Sequence, residues 1–163
     1  MFFFTKLGSG WAQDLEYSIH VPPGVREGAK PPSDSIDFQR YYTYCEVRER
    51  GQPVDGWHAF YQDLENLNYP SEAKSRKLQC AMTVTYRLDE NGHVDSVYVP
   101  HYETYGRWEK CAPCEQLMID YVNNTTWTAG RLGETAVKTT DYFYVEFRIH
   151  DPNAKEPASV FGW

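Results

Sequence analysis

The sequence predicts an α+β fold, a two-layer sandwich in which a small antiparallel sheet carries two helices on one face. Met82, Val84, Tyr86 and Leu88 alternate with Thr83, Thr85 and Arg87, and Asn91-Gly92 then offers a turn before Val94 to Val99 returns, the pattern of a β-hairpin. Cys114, Leu117, Met118, Tyr121 and Val122 recur at i, i+3, i+4, i+7 and i+8, the stripe of an amphipathic helix packed by one face. Val137, Thr139, Asp141, Phe143, Val145, Phe147 and Ile149 occupy alternate positions, so the last strand has one buried face. Hairpin strands with helices on one side stack as two layers around a single core.

The elements follow in order. Residues 1–35 lack periodicity and are punctuated by Pro22-Pro23-Gly24 and Lys30-Pro31-Pro32, which reads as a flexible arm. Phe38 to Val47 is rich in Tyr, Thr and Val and suits a strand. Asp55 stands as an N-cap before Trp57, Phe60, Tyr61 and Leu64 at helical spacing, and this helix ends near Asn66 to Asn68. Tyr69-Pro70 imposes an extended residue before the proline, and Ser71 to Lys74 suits one helical turn. Pro113 fits the first turn of the second helix and Asn123-Asn124 its end. The domain is therefore expected over 36–150, with a loose tail over 151–163 carrying Pro152 and Pro157.

Composition narrows the function. With 16 Lys and Arg against 23 Asp and Glu, the chain has a net charge of −7 and no basic run. Nucleic acid and anionic membrane surfaces would repel it. No stretch of apolar residues is long enough to span a bilayer, and Met1-Phe2-Phe3-Phe4 is too short for the core of a secretion signal. The five histidines do not cluster, and no nucleophile elbow, phosphate loop or metal motif is present, so neither an enzyme nor a cofactor is expected. Cys45, Cys80, Cys111 and Cys114 are even in number and allow three disulfide pairings, among them Cys111–Cys114 with Cys45–Cys80. Cys111-Ala112-Pro113-Cys114 has thioredoxin-like spacing, but no βαβ pattern precedes it, and zinc would need a second ligand pair.

Several of these features form an ordered set. Gly56, Tyr69-Pro70 with Ala73, the Asn91-Gly92-His93-Val94 turn, the helix Leu117 to Val122, then Trp127, Ala129, Gly130-Arg131, Gly133, Val137 and Phe147 follow one another from Gly56 to Ile149. This order resembles the C-terminal domain of the energy transducer TonB, especially its Bacteroidetes-type versions. The chain departs from that pattern in a longer segment from Tyr102 to Cys114, in Thr128 where proline is frequent, and in Cys80 where glycine is common. The membrane helix and Pro-rich spacer of a full transducer are not in this sequence, which reads as a processed piece or a soluble relative.

The resemblance implies a periplasmic protein-binding module and no catalysis. Its partner would be an extended peptide of an outer-membrane transporter, paired to an open sheet edge by strand addition. The last strand, 137–149, is expected at or near that edge. Tyr142, Tyr144, Glu146 and Arg148 form one outward row on it and are the candidates for side-chain selectivity. An assembly protein that uses the same edge to dimerise, or to dock its own segment 36–47 through Tyr41-Tyr42-Thr43-Tyr44, is the alternative. A thiol redox protein using Cys111 and Cys114 is a third.

Overall fold

A computed structural model describes residues 15–21, 36–103 and 110–150. The described elements are β1 (Glu16–His20), β2 (Tyr42–Thr43), α1 (Gly56–Glu65), α2 (Ser71–Ser75), β3 (Cys80–Leu88), β4 (Val94–Glu103), α3 (Ala112–Asn124), β5 (Gly130–Leu132), β6 (Thr135–Val137) and β7 (Thr139–His150). The architecture is α+β, with helices packed on a largely antiparallel sheet. The expected tail over 151–163, like most of the arm over 1–35, lies outside the described residues.

The main sheet runs in the order β1-β7-β3-β4, with β2 joining β7 beside β1. β3 and β7 pair antiparallel from Cys80 opposite Phe147 to Leu88 opposite Thr139, and this long ladder is the spine of the molecule. The β3–β4 hairpin turns where the sequence indicates, but the Asn91-Gly92 pair does not supply two positive φ angles: only Gly92 does, at +84°. Asp89 explains the difference. Its carboxylate accepts the backbone N–H of Asn91 and of His93, each at 2.8 Å, and side-chain capping replaces the tighter turn. Gly92 also abuts the chain, since a Cβ there would lie 2.5 Å from the carbonyl oxygen of Trp127.

Alternation sets the core as expected. Met82, Val84, Tyr86 and Leu88 of β3 and Phe143, Val145 and Phe147 of β7 point to one face. There they meet Phe60 and Leu64 of α1, Ala73 of α2, and Cys114, Met118 and Val122 of α3. Trp127 stacks on Tyr86 with ring centroids 4.6 Å apart and donates its Nε1–H to the Val122 carbonyl, tying sheet to helix. Tyr69 lies edge-on to Phe147 at 5.4 Å and donates its hydroxyl to the Leu78 carbonyl. A smaller cluster joins Tyr42, Val47, Leu132 and Val137.

Four local expectations change. Residues 16–20, read as part of a flexible arm, form β1. The strand expected over Phe38 to Val47 shortens to Tyr42–Thr43, because the Glu46 carboxylate takes the Thr43 N–H and hydroxyl, both at 2.9 Å, and bends the chain into turns. Asp55 precedes α1 but makes no side-chain cap bond. The link from Trp127 to Gly133 contains β5, which pairs with β6 and so detaches Val137 from the last strand.

Candidate partner-binding border

β7 is an interior strand one place in from the border, so the open edge expected at or near 137–149 is not on β7 itself. One side of it is taken by β3. On the other side β1 pairs antiparallel with it from Glu16 opposite His150 to His20 opposite Glu146, and β2 pairs parallel at Thr139 and Thr140. Among the described residues, the outer sides of β4, β1 and the two-residue β2 are not bonded to a further strand of the main sheet.

The predicted row is real as a face but uneven as a surface. Tyr142, Tyr144, Glu146 and Arg148 all lie opposite the helix-packed core face of β7. Tyr142 is 43% exposed and Tyr144 half-buried, whereas Glu146 is only 2% exposed. Glu146 sits between Ala81 of β3 and His20 of β1, and Arg148 lies over it in a two-pronged ion pair through Nε and Nη2. Glu146 is therefore no surface reader of a peptide's charge, and Arg148 is already engaged by it. Part of the same face is overlaid by the chain itself. Tyr44 meets Tyr142 edge-on at 5.8 Å, and hydrogen bonds to Cys45 first and Tyr142 second keep the Tyr44 phenol protonated well above its usual range. Tyr41 donates its hydroxyl to Asp95 and lies 5.0 Å from the Arg87 guanidinium. The Tyr41-Tyr42-Thr43-Tyr44 segment thus docks beside β7 from within.

β1 is the occupant the sequence reading missed. Ile19 is buried in the main core and Tyr17 packs edge-on against Tyr69 at 5.1 Å, with its ring 5.4 Å from the Lys74 ammonium. His20 Nδ1 lies 3.8 Å from a carboxylate oxygen of Glu65 on α1. The signal was present: Leu15, Tyr17, Ile19 and Val21 alternate with Glu16, Ser18 and His20.

Arg50 was also missed. Its guanidinium lies 5.3 Å from the Trp57 ring and 5.5 Å from the Tyr44 ring, and Nε and Nη2 both donate to Asp141 of β7. This part-buried pair pins the segment leading into α1 against the sheet. A cleft of about 260 Å³ lies between α1 and the end of α3, lined in part by Asp55, Asp63 and Tyr121.

The cysteines divide unexpectedly. Cys111 and Cys114 form a disulfide at the N-terminus of α3, while Cys45 and Cys80 lie outside any disulfide, so the Cys45–Cys80 pairing does not occur. Instead the Cys80 sulfur lies beside the disulfide, all three sulfurs falling within 4.8 Å of one another and all three residues fully buried. Burial pushes the Cys80 thiol up to about 12, so it stays protonated at neutral pH. Comparisons with protein-family models, curated proteins and solved structures find no match for this chain.

Proposed function

We propose that this chain is a protein-binding module of the TonB C-terminal type, which recruits an extended peptide of an outer-membrane transporter by strand addition in the periplasm. The observation that supports the reading is β1. A five-residue segment remote in sequence lies antiparallel along residues 146–150 and sends alternate side chains toward Tyr69 and the core. A guest peptide of the same alternation makes the same backbone bonds and fills the same sites, so β1 acts as an internal stand-in for the guest. Short edge strands are marginal by themselves, which suits exchange. Arg148 then lies within the stretch the guest pairs with, and Tyr144 is reached by a guest that extends past the position of His20.

The test is a titration of labelled transporter-type peptides into the wild-type chain and into Ile19→Asp, which weakens β1 docking and leaves the β7 sequence unchanged. Because a docked β1 lowers the competent fraction, the variant should bind at least about tenfold more tightly. Equal affinities, or no binding by either, would contradict the proposal. The self-docked assembly protein is the second reading, favoured by the β2 pairing along β7. It predicts that Ile19→Asp dimerises and still ignores peptides.

A further inference from the structure

The spacing in Cys111-Ala112-Pro113-Cys114 presents two sulfurs from one helix start, with Pro113 in the first turn of α3. Two thiolates are too few for a stable site. The fold supplies a third. Cys80 opens β3 with its side chain on the core face, and α3 packs across that face, so the Cys80 sulfur reaches both members of the pair. Three thiolates on one tetrahedral ion, each at about 2.3 Å from it, stand roughly 3.8 Å apart. The present separations, none above 4.8 Å, need only small side-chain rotations to reach that geometry once the disulfide is open.

The surroundings favour an ion of a particular kind. The donors are all sulfur, and Met82 and Met118 belong to the same buried cluster, one on β3 and one on α3. Such a pocket disfavours magnesium or calcium, which take oxygen ligands, and suits thiophilic cations. The backbone N–H of Cys114 already donates to the Cys111 sulfur at 3.3 Å, and the N-terminal end of α3 favours the net negative charge that three thiolates leave on a divalent ion.

We propose that, with its disulfide reduced, this protein holds a thiophilic divalent cation of the zinc class on Cys80, Cys111 and Cys114. A dithiol or phosphine reductant supplies two electrons, and two protons complete the conversion of the Cys111–Cys114 disulfide to two thiols. The incoming ion then displaces three protons and bonds three thiolates, leaving one position for a small exogenous ligand. A disulfide or peroxide oxidant takes two electrons from the Cys111 and Cys114 thiolates as their S–S bond closes, the Cys80 thiolate regains a proton and the ion departs, so the site is gated by redox state. Cys45, in the turn after β2 and beside Tyr44, takes no part. The site stands independently of the peptide border.

The experiment uses the full chain, reduced with a phosphine that is then removed, and Co2+ as the spectroscopic probe with Zn2+ as competitor. The expected result is one Co2+ per chain, with thiolate-to-metal charge transfer, displaced by Zn2+ and absent from the disulfide form. Cys80→Ala should weaken binding by more than about 100-fold, beyond the loss typical of groups that only support a ligand. Cys45→Ala should bind as the wild type does. Because Cys80→Ala opens a small hole in the core, a second measurement needs no variant. Zn2+ should slow alkylation of Cys80, Cys111 and Cys114 in the reduced wild type under mild urea, where local opening exposes buried thiols, and leave Cys45 reacting at its metal-free rate, as read by mass spectrometry. No uptake by the reduced chain, shielding confined to Cys111 and Cys114, or loss of binding in Cys45→Ala would each overturn the proposal.

Discussion

Arg50 shows how much one side chain can hold when its partner is buried. Asp141 keeps about a twentieth of its surface, and its carboxylate is met by the Arg50 guanidinium beside Trp57 and Tyr44 and by the Tyr142 N–H. Removing one partner of a buried pair leaves the other desolvated and unmatched. Arg50→Ala should destabilise the chain by roughly 3 kcal/mol in urea unfolding, more than an exposed arginine could lose. The double variant Arg50→Ala with Asp141→Asn should recover part of that loss.

Carboxylates at turns give a pH dependence. Backbone N–H from Thr43 lowers the Glu46 carboxyl below its ordinary 4.5, with burial opposing. For Asp89, burial pulls upward, and the N–H groups of His93 and Asn91 outweigh it, so the group lies below 3.8. Folded values below unfolded ones mean stability that is complete above about pH 4.5 and is lost as pH falls through the folded values. The melting temperature of the wild type should therefore drop below pH 4, and Asp89→Asn should flatten part of that drop. A flat profile in the wild type would contradict the assigned turn bonds. Thiol counting checks the cysteines in the same spirit. Native chain should react at Cys45 alone, unfolded chain at two thiols, and reduced unfolded chain at four.

At the scale of elements, the sequence was legible wherever burial was one-sided. The β3 alternation, the α3 stripe and the start of α1 follow from apolar spacing, because one face of each meets the same core. It misled where a side chain competed with the ladder, as Glu46 does for Thr43 and Asp89 for the hairpin turn, since such bonds depend on rotamers that spacing does not encode. β1 failed for a different reason. Its alternation over 15–21 was readable, but prolines downstream drew the whole segment into an arm. The positions that carry the TonB resemblance prove to have local work. Tyr69 braces Phe147 and receives Tyr17, Trp127 covers Tyr86, and Gly130 has no room for a Cβ, which would lie 2.3 Å from Thr139. Trp127→Ala should cost roughly 3–5 kcal/mol, measured by chemical unfolding, because the cavity opens between helix and sheet.

Across the whole molecule, the border was misplaced because edge or interior is a property of strand order, and strand order comes from contacts far apart in sequence. The candidate row 142, 144, 146 and 148 was found by parity alone. Its uneven exposure came from neighbours that parity does not name: Ala81, His20 and the overlying Tyr44. The grouping of Cys80 with Cys111 and Cys114 was likewise within reach, since both Cys80 and Cys114 sit on inward positions of elements that pack together. What spacing lacked was the pairing of β3 with α3.

Displacement of β1 has a signature in the untouched protein. Residue-resolved amide hydrogen exchange should find 16–20 exchanging at least about 100-fold faster than 80–88, because β1 opens locally while the β3–β7 ladder opens only with the fold. Adding a transporter-type extended peptide should speed exchange at 16–20 further while 146–150 stay protected by the guest. Residues 16–20 as slow as 80–88, and unmoved by any peptide, would contradict it.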